Sequence, residues 1–186
     1  MFPQSVSSRA VESGAKYGAI AGLIATWSIS TAIAASELEL GLPIGTFYAI
    51  IGTSLGYGDY AAYGGFGLHL LTGSALGAAF GFLAARFTVR ILLDPYRSLL
   101  MGMATGMVVW LVLFLPVTML LVAPFLALPG QLLDENLLGA GQSIWGIALS
   151  AIAFHIVWGA IFGYVVSAFM RIRAFKMAHH KGDAVQ

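Results

Sequence analysis

Apolar positions dominate the chain in four long stretches, at about 14–36, 63–85, 98–122 and 144–170, interrupted only by Lys16. Each has the roughly 20 residues that an α-helix, rising about 1.5 Å per residue, needs to cross the hydrocarbon core of a bilayer. None carries a polar stripe at helical spacing. That suits helices that meet lipid or a bundle interior on every side, where all backbone polar groups must be satisfied internally. The pattern predicts an all-α membrane protein with four transmembrane helices in one domain spanning 1–186.

The charges orient the bundle. Arg9 and Lys16 lie at the start, Arg86, Arg90 and Arg97 between the second and third spans, and Arg171, Arg173, Lys176 and Lys181 at the end. The other two connections, about 37–62 and 123–143, hold Glu37, Glu39, Asp59, Asp134 and Glu135 and no Lys or Arg. By the positive-inside rule both termini are cytoplasmic. Arg9, Lys16, the apolar run and Ala32-Ile33-Ala34 also mimic a cleavable signal peptide, whose removal would leave three spans. Because the first span has a counterpart later in the chain, it is read as a retained helix.

Composition narrows the function. Of 186 residues, 59% are hydrophobic and 9% charged, against about 25% charged in soluble domains. Polar side chains are too few to cover a water-facing globule, which excludes a soluble enzyme, and the low-hydrophobicity signature of disorder is absent. Without cysteine there are no disulfides, thiolate metal sites or Cys nucleophiles. No phosphate loop, Ser/His/Asp arrangement or dinucleotide fingerprint is present, nor a basic face for nucleic acid. A non-enzymatic protein is expected.

The two halves resemble each other at an offset near 86 residues: Leu42-Pro43 with Leu128-Pro129, His69 with His155, Gly73 with Gly159, and Gly77 with Gly163. With a two-residue slip, Gly18 and Gly22 match Gly102 and Gly106. The expected fold is a tandem, parallel repeat of two-helix units, 10–90 and 97–173, followed by a cytoplasmic tail over 174–186 in which the polar His179-His180-Lys181 is expected to be loose. Two spans per unit return the chain to the same side, so the units are related by an axis along the membrane normal. Glycines four residues apart form a flat seam on one helix face, where backbones can approach closely. Such seams suit contacts within the chain or with another subunit. The segment 43–55 is apolar but too short to span, so it lies at the interface or re-enters partway. Tyr57, Tyr60 and Tyr63 suit the headgroup level.

Ionisable groups inside a membrane are costly and therefore candidates for function. His69 lies 17 residues before Arg86, and His155 lies 16 before Arg171. Helical rise puts both about 25 Å from the inner surface, in the outer leaflet. Two neutral imidazoles at one depth can ligate haem b or relay protons. They can equally be structural, each hydrogen-bonded to a neighbouring carbonyl. A metal site wants further ligands, and no additional His or carboxylate is evident at that depth. Met103 and Met107 read as adaptable core. Pro116 should kink the third span, Glu37 and Glu39 read as solvated outer-surface charges, and Asp94-Pro95 is a turn flanked by Arg90 and Arg97.

Gly18-x₃-Gly22, Gly67-Leu68-His69-x₃-Gly73-x₃-Gly77, Gly102-x₃-Gly106 and Phe154-His155-x₃-Gly159-x₃-Gly163 together resemble small four-helix proteins of bacterial and archaeal membranes, including the YagU-like inner-membrane family. The resemblance implies a four-helix inner-membrane protein and no catalytic residues. The leading expectation is an accessory or structural subunit packed against the lipid bilayer and against other membrane subunits or itself. A small-solute or proton pathway at the pseudo-symmetric centre, with His69 and His155 as its polar elements, is the alternative. A third reading is a bis-His haem anchor of a redox complex.

Overall fold

The computed structural model describes residues 8–39, 41–126 and 144–183, all in helices or short links between them. Helix α1 is Ser8–Glu39, the short α2 is Thr46–Ser54, and α3 is Ala61–Leu93 after one 3₁₀ turn, Gly58–Tyr60. Helix α4 runs without a break from Pro95–Val109 through further helical segments to Ala123–Leu126, and α5 is Ile144–Asp183. Four of these contain stretches long and apolar enough to cross a membrane: Val11–Glu39, Gly58–Phe87, Pro95–Leu121 and Ala151–Lys176. The described residues are thus helical throughout apart from short links, with the character of a multi-pass membrane protein. Leu128-Pro129, Asp134 and Glu135 of the last connection lie outside the described residues.

Local chemistry sets the helix ends. Asp94 caps α4, its Oδ1 accepting from the Tyr96 and Arg97 amides at 3.1 Å each, with Pro95 at the first helical position where its missing N–H costs nothing. Arg97 closes this turn through an ion pair of 3.4 Å to Asp94. Beyond the last span α5 does not loosen into a tail but continues to Asp183. Residues 171–181 contain no Gly or Pro that would end the helix.

Pro116 of α4 stands among widened helical turns. It sits in the short α-turn Leu115–Val117, between two π-helical segments, Trp110–Phe114 and Thr118–Val122. A proline inside a helix removes a donor and collides with the carbonyl four residues back. Widening the turns on both sides accommodates the ring without ending the helix.

The helices form two antiparallel hairpins, α1 with α3 and α4 with α5. Along the first, Gly14 lies against Gly81, Gly18 against Gly77 and Gly22 against Gly73, with carbonyl oxygens where a Cβ would stand. Along the second, Ser98 lies against Gly163, Gly102 against Gly159 and Gly106 against His155. The glycine faces therefore pack within the chain. The hairpins join chiefly through α1 and α5, where Tyr17 stacks on Phe169 with ring centres 5.6 Å apart. Ala21 and Ala25 of α1 are fully buried with Trp158, Phe162 and Val166 of α5 and Ala84 and Ala85 of α3. Small residues on α1 thus let larger rings on α5 fill the space, the dense packing that must hold helices where lipid removes any hydrophobic drive. Helix α4 is the least buried of the four long helices.

Candidate functional site

The short helix α2 is held by groups from α1. Glu37 is 4% exposed, contrary to the solvated position expected from its place just after the first span. Its two carboxylate oxygens accept from the backbone amides of Gly45 and Phe47, each at 2.7 Å. These are unsatisfied donors at the start of α2, where the helix dipole also favours an anion. Glycine is required before α2 because Gly45 takes φ +90°. On its other side α2 rests on α3, with the Tyr48 carbonyl against Gly65 and the Ala61 carbonyl against Gly52, contacts that a β-carbon would block.

So fixed, α2 carries the Tyr48 ring to one of the histidines. The Tyr48 ring lies 5.3 Å from that of His69. Phe114, in the first π-helical segment of α4, lies 4.9 Å from the ring of His155. Phe47 touches both Tyr48, at 5.9 Å, and Phe114, at 6.5 Å. His69 and His155 are linked through a continuous run of three rings, Tyr48, Phe47 and Phe114. The tertiary structure thus gathers into one cluster two histidines that the sequence could match only by depth, and covers them with aromatic rings from α2 and α4.

A chain of hydrogen bonds lines the same region. Trp158 donates its indole N–H to the Thr26 hydroxyl at 2.8 Å, and Thr26 donates to the Gly22 carbonyl at 2.7 Å. Tyr48 donates its hydroxyl to Ser30 at 2.9 Å, and Ser30 donates to the Thr26 carbonyl at 2.8 Å. Each of these polar groups has a partner, as buried groups in a low-dielectric setting require. Thr26, Ser30, Tyr48 and Trp158 gave little sign in the sequence. An isolated hydroxyl in an apolar span ordinarily bonds to its own helix four residues back, and nothing local marks it as a partner for another helix.

The imidazoles differ from one another. His155 Nδ1 lies 2.8 Å from the Ala151 carbonyl. A carbonyl has no proton to give, so Nδ1 carries the hydrogen, and Nε2 of a neutral His155 is left with a bare lone pair. His155 therefore has the local bond expected of a structural histidine. His69 departs from that expectation: its Nε2 is buried without a hydrogen-bond partner. Among the described residues only one other buried side-chain atom shares that condition, the Ser167 hydroxyl.

Other sequence candidates fall away from this cluster. Met107 is exposed and Met103 half-buried, on the helix surface of α4. Among the described residues no three His, Cys, Asp or Glu side chains come together as a metal-binding group. Tyr60 and Tyr63 are exposed at the start of α3, as aromatic anchors at a membrane surface would be. No protein-family model, curated protein or solved structure matches the chain.

Proposed function

We propose that this protein handles protons or a small polar solute within the plasma membrane, both chain ends cytoplasmic, using His69 and His155 as the working groups. One observation carries the reading: the His69 Nε2 is buried without a partner in a region where every neighbouring hydroxyl and indole N–H has one. An unpaired polar atom in an apolar interior costs roughly 1–3 kcal/mol. A histidine retained only to hold helices together would be expected to recover that cost through a local bond, as His155 does with Ala151. A solute or transferable proton that spends part of its time at Nε2 accounts for the exception.

The test is flux in sealed vesicles. Purified protein is reconstituted with a pH-sensitive dye inside, and proton movement is followed after a pH jump in the presence of a counter-ion path. Flux above empty vesicles that is lost in His69→Ala and retained in Met107→Leu supports the reading. Equal rates in the parent and the His69→Ala variant, repeated with small amines and alcohols as solutes, would overturn it.

The accessory-subunit reading keeps one specific support. The glycine seams on which it leaned are occupied within the chain, but α4 presents Leu111, Val112 and Leu120 outward. Lipid accounts for such a face equally well. Chains that co-migrate with the same preparation in mild detergent would favour the subunit reading.

A further inference from the structure

We propose that α2 is a lid over His69, latched by Glu37 and hinged on glycine at both ends, and that its opening admits a proton or solute to the imidazole. The inference rests on the reading of His69 as a working group and names how that group is reached.

The covering is built from one face of a short helix. Tyr48 and Gly52, one turn apart, are the buried residues of α2. That face sets the Tyr48 ring 5.3 Å from His69 and 5.3 Å from Phe66, and Phe66 meets Trp27 at 5.6 Å. Beside this screen of rings the Nε2 of His69 is buried without a partner. A group that exchanges a proton or solute has to be reached, and with α2 in place it is shut in.

The attachments of α2 are of a kind that can be released. Its nine residues are fewer than the roughly 12–15 that an isolated helix needs in water, so α2 depends on what holds it. On the α1 side the Glu37 carboxylate accepts from the amides of Gly45 and Phe47, and the Tyr48 hydroxyl donates to Ser30. Each of these bonds can be exchanged for one to water. On the α3 side the Tyr48 carbonyl rests on Gly65 and the Ala61 carbonyl on Gly52. At both points a glycine leaves the surface smooth, so the helix can roll there. The links on either side of α2 turn through Gly41 and Gly45 before it and Gly56 and Gly58 after it. These four take φ between +53° and +90° and are the only described residues with positive φ. At Gly41, Gly56 and Gly58 nothing lies within 4 Å of where a β-carbon would stand. Close packing does not account for glycine at those positions; the freedom of the backbone to turn does.

The test pins the lid reversibly. The chain has no cysteine, so an introduced pair forms the only disulfide. A β-carbon at Gly45 would lie 3.7 Å from that of Ala62 on α3, within the roughly 3.5–4.5 Å that a disulfide spans. Gly45→Cys/Ala62→Cys therefore fixes α2 when oxidised and frees it when reduced, and any strain at Gly45 is common to both states. In detergent, carbethoxylation of His69 by diethyl pyrocarbonate is followed by mass spectrometry of its peptide. The expected result is modification that is suppressed in the oxidised pair, restored by reductant, and about tenfold faster than the parent in Glu37→Ala, which loses bonds to a charged acceptor. Amide protection in α4 separates an open lid from an unfolded chain; should Glu37→Ala unfold, the oxidised and reduced pair decides alone. Failure of the pair to cross-link, equal rates in its two states, or an unchanged rate in folded Glu37→Ala would each overturn the proposal. In vesicles, flux that needs His69 but ignores the disulfide sinks the lid alone. A disulfide-controlled His69 in a protein without flux sinks the function proposed above and leaves the lid standing.

Discussion

The two hairpins use the same device to different degrees. In α1/α3 the close contact runs over three glycine pairs, Gly14 with Gly81, Gly18 with Gly77, and Gly22 with Gly73. In α4/α5 only Gly102 with Gly159 is such a pair, flanked by Ser98 against Gly163 and Gly106 against His155. The surroundings differ more. The first hairpin is enclosed, with α5 along α1 and α2 along α3, whereas α4 has little but α5 to lean on. A glycine seam therefore teaches only that two backbones are close. What lies behind each helix decides how much a disturbed seam costs.

The pairing also differs in register. The sequence aligns Gly18 and Gly22 with Gly102 and Gly106. With the histidine-bearing helices matched at their 86-residue offset, the contacts instead put Gly22 in the position of Gly102, so that Gly22 meets Gly73 as Gly102 meets Gly159. One turn on, Thr26 lies with its side chain against Gly73, whereas its counterpart by this register, Gly106, lies against the His155 carbonyl. In the first hairpin that position supplies a hydroxyl, and Trp158 from the second hairpin donates to it. The shift of one helical turn is thus what lets a polar group enter the crossing of the two hairpins.

The largest expected effect tests enclosure. Leucine at Gly77 must enter the backbone of α1 at Gly18 and Gly22, and α1 cannot retreat because α5 lies along it. Overpacking typically costs about 1–3 kcal/mol, and Gly77→Leu should exceed that range and abolish a monodisperse folded peak in detergent. Gly102→Leu meets the backbone of Gly159 and Gly163, but α4 can move outward into lipid or detergent, so its cost should stay within that range. Equal thermal destabilisation of the two variants would break the comparison.

The next effect concerns α2, which lies in the connection of the first hairpin. Glu37→Ala leaves the amides of Gly45 and Phe47 without their acceptor. Bonds to a charged group are worth about 1.5–3 kcal/mol each. Amide exchange should accelerate over Thr46–Ser54 and stay unchanged in α4, and Glu37→Gln, which keeps one acceptor oxygen, should fall between. Uniform acceleration in both hairpins would mean that α2 supports the whole bundle rather than one half.

The smallest effect is that of Tyr48→Phe. Only the bond to Ser30 is lost while the ring contacts to His69 and Phe47 remain, so the loss should be about 1 kcal/mol in a chemical-denaturation midpoint. A much larger loss would show that the hydroxyl organises His69 as well as anchoring α2.

The four apolar helices were legible in the sequence because a bilayer admits so few solutions. A stretch of some 20 apolar residues that must satisfy its own backbone has to be a helix. The glycine spacing likewise announced close contacts, since four residues on a helix return to one face. Three things were not legible, and each depends on what lies across a contact. Glu37 looked like a solvated charge because its partners, the amides of Gly45 and Phe47, exist only once the chain has turned back on itself. The tail looked loose because composition alone does not reveal that α5 runs on to Asp183. The histidine cluster was visible as two residues at one depth, but depth is a coordinate along a helix, and the sequence carries no rotation about it. Packing of α1 against α5, the π-helical turns that bring Phe114 to His155, and the capped α2 that brings Tyr48 to His69 supply that rotation. They gather residues separated by as many as 132 positions, as Thr26 and Trp158 are. Burial and backbone satisfaction are local requirements that a sequence states directly; which polar atoms meet is decided only by helices closing on one another.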